Sequence, residues 1–238
     1  MNSNNDILAA ERARIKSEYA RRDREITRDL YAPWEPAPIF MHTGRKRAAS
    51  LLLLRAGLIP FNDDQCLEIG FGSMGWLPDL IMWGVRETDL HGIELNSERV
   101  DLVRQILPQA DLRVGDAGSL PWDANMFRLV IASTVFTSIL NNAVRRTVAR
   151  EIVRVLAPGG ALLWYDFAVN NPKNPQVRGV GRKELRELFP ELRGEIKSVT
   201  LAPPLARFFA PRSWTIASLL EAIPVLRTHL LAVMVKPV

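Results

Sequence analysis

The stretch that decides the fold is Cys66-Leu-Glu-Ile-Gly-Phe-Gly-Ser-Met-Gly-Trp76. It begins as a short apolar strand, places an acid at Glu68, and spaces three glycines as Gly70, Gly72 and Gly75. Glycine suits a tight strand-to-helix turn in which a ligand lies directly against the backbone. The stretch therefore predicts the entry into a nucleotide-binding α/β sheet.

Four further apolar strands follow, and polar residues stand where they end. The strands are Leu90–Leu95, Asp111–Ala117, Phe127–Ser133 and Ala161–Phe167. Glu94 comes roughly 20 residues after the glycines, where an acid accepts hydrogen bonds from both hydroxyls of a ribose. Asp116 ends the third strand, and the turn Leu156-Ala-Pro-Gly-Gly160 precedes the fifth.

This series resembles the class I S-adenosylmethionine-dependent methyltransferases over about residues 45–167. Glu68-x-Gly70-x-Gly72 is similar to the family's first motif, and Glu94 stands where the family has its ribose-binding acid. Asp116-Ala117 is similar to the pair that contacts adenine, and Leu156-x-Pro-Gly-Gly160 to the turn before the fifth strand. The resemblance implies S-adenosyl-L-methionine as cofactor, S-adenosyl-L-homocysteine as product, and no metal.

The resemblance also implies the fold class. It is an α/β, Rossmann-like sheet of seven mostly parallel strands, with an antiparallel last strand beside the fifth and helices on both faces.

A nicotinamide dehydrogenase is the nearest competitor, because it shares the glycine turn and the acid. Glu68 weighs against it, since dinucleotide-binding strands usually carry an apolar residue at that position. A pocket bordered by Glu68, Glu94 and Asp116 suits a ligand with a sulfonium and an ammonium better than a pyrophosphate.

Ligands of open α/β sheets bind beyond the carboxyl ends of the strands, so the site residues are expected there and in the segment before the core. We expect the cofactor to contact Glu68, Gly70, Gly72, Gly75, Glu94, Leu95, Asp116, Ala117, Ser133, Tyr19 and Tyr31. For Asp116 a turn cap is the alternative. We expect the acceptor to contact Trp34, Thr134, Tyr165, Asn170 and Arg178. The alternatives are that the aromatic residues pack a helix onto the sheet and that residues 170–179 form an ordinary connection.

Methyl transfer is an in-line displacement that mainly needs a positioned nucleophile, exclusion of water and, in some cases, removal of one proton. The candidate catalytic residues are Asp166, at the end of the fifth strand, and His42, in the segment leading into the core. The alternatives are that Asp166 caps the Asn170-Asn-Pro172 loop and that His42 is a surface histidine.

Three regions make up what we predict to be a single domain. Residues 1–44 form a charged helix, about Ile7–Leu30, and a proline- and aromatic-rich lid whose part Tyr31–Phe40 is expected to be extended. Residues 45–167 form the cofactor-binding core, and residues 168–238 a substrate loop and a final hairpin. In this last region we expect helices at about 182–189 and 214–222 and strands at about 196–201 and 228–235.

The composition of the chain limits which classes of function it can have. The 238 residues carry a net charge of +5 and a single cysteine, Cys66. The basic residues alternate with acids, as in Arg22-Asp-Arg-Glu25, which is typical of a solvated helix face, so a nucleic-acid partner is disfavoured. We see no signal peptide and no bilayer-spanning run, so a cytoplasmic location is the expectation. The sequence does not indicate the oligomeric state.

The pattern is similar to that of bacterial methyltransferases of saccharide or natural-product biosynthesis. We therefore expect O-methylation of a sugar or another secondary metabolite. An RNA or protein methyltransferase is one alternative, although Ser133-Thr-Val-Phe136 lacks the Asn/Asp-Pro-Pro-Tyr/Phe pattern of amino-directed nucleic-acid enzymes. A cofactor-binding protein that has lost catalysis is the other.

Overall fold

The computed structural model describes residues 3–25, 32–73, 75–172 and 174–238. Within these ranges seven strands form one sheet: β1 (Cys66–Ile69), β2 (Leu90–Glu94), β3 (Asp111–Val114), β4 (Phe127–Ser133), β5 (Leu156–Phe167), β6 (Arg193–Leu201) and β7 (Arg227–Val235). The α-helices of the same ranges are α1 (Ser3–Glu25), α2 (Pro36–Arg55), α3 (Leu77–Met82), α4 (Ser97–Ile106), α5 (Asn142–Val155), α6 (Arg182–Leu188), α7 (Pro203–Phe209) and α8 (Trp214–Ala222).

The strand order across the sheet is β3-β2-β1-β4-β5-β7-β6. β1 pairs in parallel with β2 on one side and with β4 on the other, and β7 runs antiparallel to both β5 and β6. From β1 the chain adds β2 and then β3 on one side of the sheet. It then returns to the other side of β1, where it adds β4 and β5. The crevice beyond the carboxyl ends of β1 and β4 is therefore the switch point at which such sheets bind ligands. The prediction of a mostly parallel seven-stranded sheet with an antiparallel last strand is confirmed.

Both faces of the sheet are covered, which accounts for central strands that are apolar nearly throughout. On one face Leu67 and Ile69 pack in a core with α5, and on the other Cys66 packs in a core with α2, α3 and α4. A smaller cluster joins α2 to α7 and α8, where the ring of Phe40 meets that of Trp214 edge-on at 5.6 Å. None of the helices in the described ranges has the length and apolarity needed to cross a bilayer.

The chain between α1 and the core departs from the prediction. The stretch Tyr31–Phe40 was expected to be extended, but α2 begins at Pro36 and continues through the proposed domain boundary at 44/45. Pro36 occupies the first turn, where the N–H that proline lacks has no partner within the helix. The expectation of an extended backbone was therefore wrong from residue 36 onward.

Candidate active site

A cavity of about 450 Å³ lies beyond the carboxyl ends of β1, β2, β3 and β4, with α1 and α2 forming walls. This volume falls within the range of small-molecule sites, roughly 300–1,000 Å³. The predicted site residues that line it are Tyr19, His42, Glu68, Gly70, Gly72, Gly75, Glu94, Leu95, Asp116, Ala117, Ser133 and Thr134.

The glycine turn after β1 has a backbone that side chains would not allow. Gly70, Gly72 and Gly75 have φ values of 66°, 60° and 54°. A Cβ on Gly75 would lie 2.2 Å from Oε1 of Glu68. The turn therefore depends on glycine at this position for space as well as for conformation.

The side chain of Glu68, on β1, holds this turn in place. The residue is 1% exposed, and its Oε2 accepts the backbone N–H of Trp76 at 2.7 Å. Burial raises the pKa of Glu68 to about 8, against the opposing effects of the Trp76 N–H and the positive charge of Arg45. The bond to the Trp76 N–H shows that the Glu68 carboxyl braces the turn.

Two further acids stand at the ends of neighbouring strands. Oε2 of Glu94 accepts the N–H of Gly72 at 3.0 Å, and its Oε1 accepts the N–H of Asn96 at 3.0 Å. Oδ1 of Asp116 accepts the N–H of Gly118 at 2.8 Å, so the residue caps its turn while it also lines the cavity. Each carboxylate keeps lone pairs for a ligand after these bonds.

Arg45, on α2, lines the cavity and was not among the predicted site residues. Its guanidinium lies 4.7 Å from the ring centroid of Trp76 and 5.2 Å from that of Tyr165, and it donates to Oγ of Ser133 at 3.3 Å. Its Nε is buried and has no hydrogen-bond partner among the described residues. A fixed arginine with an unused donor is suited to a carboxylate of a ligand.

The spacing of three residues on α2 contained the signal for this wall. His42, Arg45 and Lys46 stand at positions i, i+3 and i+4, which share one face of a helix. All three line the cavity, and Lys46 also pairs with Asp79 at 2.7 Å. This face was not predicted, because the sequence was not expected to form a helix from residue 36 onward.

His42 lies at the cavity edge. Part of the residue is exposed to solvent, but protein atoms surround much of its ring. Desolvation of the ring, followed by the charges of Arg45 and Lys46, lowers the pKa of His42 to about 4. The imidazole is therefore neutral at pH 7 and has an acceptor nitrogen to offer.

Asp166 does not reach the cavity. It is fully buried, and its carboxylate accepts the N–H of Thr137 at 3.0 Å, the N–H of Phe167 at 2.9 Å and the hydroxyl of Thr137. Burial raises the pKa of Asp166 to about 6. These contacts favour the alternative of a strand-end acid that orders a turn, and the turn is Phe136–Ser138 and not the loop at 170–172.

Most of the residues expected to contact the acceptor lie outside the cavity. Trp34 is 70% exposed, and the buried hydroxyl of Tyr165 lies 3.0 Å from Oγ1 of Thr200. Asn170 accepts the N–H of Gly179 at 2.9 Å. Arg178 pairs with Glu184 at 2.7 Å on a different surface. Of the residues expected to contact the acceptor, Thr134 lines the cavity. Tyr31, which was expected to contact the cofactor, lies outside the described residues.

α1 lies across the mouth of the cavity. It contributes the lining residues Leu8, Glu11, Arg12, Ile15 and Tyr19. Oε1 of Glu11 accepts the N–H groups of Leu140 and Asn141 at 2.5 and 3.3 Å. Burial alone would raise the pKa of Glu11, but the Arg14 side chain and the Leu140 N–H outweigh it and lower that pKa. The hydroxyl of Tyr19 lies 3.3 Å from Oγ of Ser138.

Comparison with known proteins finds a match to the core of the chain. A family model described as a methyltransferase domain matches residues 66–160, which hold the glycine turn, Glu94 and Asp116. The match also holds Leu156–Gly160, which was predicted as a turn before the fifth strand but forms the beginning of β5. No curated protein sequence matches the chain.

Solved structures share the fold at low sequence identity. A chain of the complex between the Haloferax volcanii Trm112 methyltransferase activator and a methyltransferase is 22% identical, with a TM-score of 0.61, covering 89% of this chain and 97% of that one. Geranyl diphosphate C-methyltransferase from Streptomyces coelicolor is 14% identical, with a TM-score of 0.60 and coverage of 80% and 77%. The [4+2]-cyclase SpnF is 19% identical, with a TM-score of 0.58 and coverage of 81% and 80%.

The cavity lies at the switch point between β1 and β4, which is where open α/β sheets of this kind bind nucleotide ligands. Residues 66–160 form a methyltransferase domain, for which S-adenosyl-L-methionine is the cofactor.

Proposed function

We propose that the protein methylates an oxygen of a small-molecule acceptor, a sugar or another secondary metabolite. The observation that carries the proposal is the cavity of about 450 Å³ beyond the strand ends, walled by α1 and α2. A site of this size and closure suits a cofactor together with a compact acceptor.

The residues present fit the cofactor. Glu94 would accept from the ribose hydroxyls, and Asp116 from the amino group of adenine, with the apolar Leu95 and Ala117 beside the ring. Arg45, whose buried Nε has no partner in the described part of the chain, would donate to the methionine carboxylate. When bound, S-adenosylmethionine supplies a methyl group already activated by its sulfonium.

The remaining chemistry falls to groups at the cavity wall. His42 is neutral at pH 7 and would accept a hydrogen bond from an acceptor hydroxyl, which orients the oxygen for in-line attack. With a pKa of about 4, His42 is a weak base, so its contribution is orientation more than proton removal. The hydroxyl of Tyr19 and the apolar Ile15 of α1 would help to exclude water from the site.

A macromolecular acceptor is disfavoured by the position of α1. An RNA or protein chain would have to displace a helix that is anchored through Glu11 to Leu140 and Asn141. The net charge of +5 gives a general attraction to anions without requiring nucleic acid.

A product-mass screen tests this function. Purified protein is incubated with S-adenosylmethionine carrying a deuterated methyl group and with separated small-molecule, RNA and protein fractions of the producing cell. We expect the label in a small molecule. Fragmentation of the product in the mass spectrometer should place the deuterated methyl group on an oxygen and not on a nitrogen. Glu94→Ala is the control that should lose the label. Label confined to the RNA or protein fraction would contradict the proposal, and label in no fraction would support a protein that binds the cofactor without transfer.

A further inference from the structure

Thr200 has a backbone conformation that a β-branched residue seldom adopts. The residue lies in β6, is 2% exposed and has a φ of 64°, in the left-handed region. A β-branched residue is strained there, and such strain persists only where the surrounding structure fixes it, often at a functional site. β6 is the edge strand at the opposite end of the sheet from β3, so the strain needs an explanation outside the cofactor motifs.

The strand pattern shows which way the side chain of Thr200 would otherwise point. The preceding residue, Val199, packs against the core of α2, α3 and α4, and Tyr165 belongs to that same core. Because side chains alternate along a strand, a regular Thr200 would face the other side of the sheet, away from Tyr165. The left-handed backbone instead brings Oγ1 of Thr200 to 3.0 Å from the hydroxyl of Tyr165. The strained conformation therefore serves this one hydrogen bond.

The ring of Tyr165 is part of the wall that fixes Arg45. The guanidinium lies 5.2 Å from the centroid of this ring and 4.7 Å from that of Trp76. Its hydrogen bond to Oγ of Ser133 is long, at 3.3 Å, so the direction of the guanidinium depends mainly on the two rings.

Two contacts hold the Tyr165 ring itself. The ring stacks on that of His229, with centroids 4.9 Å apart and an angle of 9° between the planes. Stacking sets the plane of the ring but leaves it free to slide within that plane. The hydrogen bond to Thr200 removes this freedom at the tip of the ring.

We propose that Thr200 is a positioning residue for the cofactor site, acting through the hydroxyl of Tyr165 on Arg45. Thr200 fixes the tip of the Tyr165 ring, the ring fixes the guanidinium, and the guanidinium meets the methionine carboxylate of the cofactor. The inference rests on the role proposed above for Arg45. It extends that role to an edge strand outside the cavity wall, and it places the effect on a single group of the ligand.

Calorimetric titration with two ligands tests the inference. The ligands are S-adenosylhomocysteine and its decarboxylated analogue, which lacks only the methionine carboxylate. Thr200→Val keeps the branched shape but removes one hydroxyl of the pair, and Tyr165→Phe removes the other. We expect each variant to bind S-adenosylhomocysteine roughly three- to tenfold more weakly, as the loss of one hydrogen bond implies. Each should bind the decarboxylated analogue as the wild type does, whereas a general loss of packing would weaken both ligands.

Three further variants serve as controls. Thr200→Ser keeps the hydroxyl and should keep the preference of the wild type for the ligand with the carboxylate. Ser198→Ala removes another hydroxyl of β6, one that is bonded to Arg182 at 3.1 Å, and should leave both affinities unchanged. In a protein that already carries Arg45→Gln, Tyr165→Phe should cause no further loss of S-adenosylhomocysteine affinity, because the two residues act on the same contact.

The outcomes separate this inference from the role of Arg45 on which it rests. If Arg45→Gln leaves the preference for the carboxylate intact, the role of Arg45 is wrong and the inference fails with it. If Arg45→Gln removes the preference while Thr200→Val or Tyr165→Phe retains it, Arg45 keeps its role and the inference is overturned. Equal weakening of both ligands in the Thr200 and Tyr165 variants would also overturn it, since their role would then be structural.

Discussion

At the scale of single residues, we propose that Arg45 holds the methionine end of the cofactor. Its guanidinium is fixed between the rings of Trp76 and Tyr165, and a buried Nε remains to be paired. Burying an arginine donor without a partner costs free energy that a bound carboxylate would recover. In the sequence Arg45 is part of the basic run Arg45-Lys-Arg47 and has no feature that marks it as a site residue. It faces the cavity because it lies on α2, which was not predicted.

Replacing Arg45 with Gln should therefore weaken cofactor binding. A charge-assisted hydrogen bond contributes about 1.5–3 kcal/mol, so the dissociation constant for S-adenosylhomocysteine should rise roughly ten- to a hundredfold. Calorimetric titration measures this change. Arg47→Gln is the matched control, since it removes the same charge two residues along α2 and outside the cavity, and it should leave affinity unchanged. Equal effects of the two substitutions would mean that Arg45 acts only through general charge.

The substitution Asp166→Asn tests whether Asp166 has a structural or a catalytic role. The carboxylate accepts three hydrogen bonds, and an asparagine amide would turn a donor toward at least one of those N–H or O–H groups. We expect the free energy of unfolding in urea to fall by about 1–3 kcal/mol. With the acceptor found in the product screen, kcat at a temperature where the variant is folded should stay within a few-fold of the wild type. A loss of roughly 10²–10⁴ in kcat with unchanged stability would restore Asp166 as a general base.

At the scale of elements, regular strands were easier to predict than the helix that forms the cavity wall. β4 and α8 have the bounds that the sequence predicts, because apolar runs with clear ends determine them. β3 ends at Val114 and not at Ala117, since Gly115 and Asp116 already belong to the ligand-facing turn. α2 was missed because proline was taken as a helix breaker, although in the first turn it is compatible with a helix.

β7 couples stability to pH through one buried histidine. His229 lies between the rings of Tyr165, at 4.9 Å, and Phe167, at 3.8 Å. Burial, assisted by the charge of Arg45, lowers the pKa of His229 to about 3. In the unfolded chain histidine has a pKa of about 6.5. Between these two values the unfolded state binds a proton that the folded state does not, so stability falls as pH is lowered through this window.

His229→Phe should therefore make the protein less sensitive to acid. One such histidine costs about 1.4 kcal/mol for each pH unit below its unfolded pKa. Urea unfolding of the variant between pH 6.5 and 4.5 should show a shallower loss of stability than the wild type. The comparison at pH 8, where the imidazole is neutral in both states, isolates the change in packing. Parallel pH curves for the two proteins would show that His229 does not carry the acid sensitivity.

α1 is the element whose role as a cover is most open to test. Deleting residues 1–25 leaves α2 and the sheet complete but removes Ile15, Tyr19 and the Glu11 anchor. We expect the truncated protein to keep its circular-dichroism spectrum and unfold cooperatively, while its affinity for S-adenosylhomocysteine and its turnover both fall. A cover that closes over a site excludes water and completes the pocket.

A point variant tests the same role without removing the helix. Glu11→Gln weakens the anchor to Leu140 and Asn141, and hydrogen exchange of α1 should become faster in the absence of ligand. Lys16→Gln, on the exposed side of α1, is the control and should leave exchange unchanged. Full activity of the truncated protein would show that α1 is not part of the catalytic machinery.

At the scale of the whole molecule, the sheet brings together residues that are far apart in the sequence. The strands β3, β2, β1 and β4 are neighbours in that order. At or just beyond their carboxyl ends lie, respectively, Asp116, Glu94, the glycine turn and Ser133. Because parallel strands share one carboxyl edge, the cofactor half of the site was predictable from sequence. The acceptor half was not, since it depends on how α1 and α2 lie over that edge. Methyl transfer also imposes no fixed catalytic residue by which to recognise it.

The central claim is that this edge binds S-adenosylmethionine and not a nicotinamide dinucleotide. Calorimetric titration of the wild type and of Glu94→Ala with S-adenosylhomocysteine and with NAD tests it most directly. The carboxylate of Glu94 is held by the N–H groups of Gly72 and Asn96. We propose that its remaining lone pairs accept from two ribose hydroxyls. We predict that the wild type binds S-adenosylhomocysteine and not NAD, and that Glu94→Ala binds it roughly ten- to a hundredfold more weakly with the fold retained. Preference for NAD, or unchanged affinity in the variant, would contradict the account.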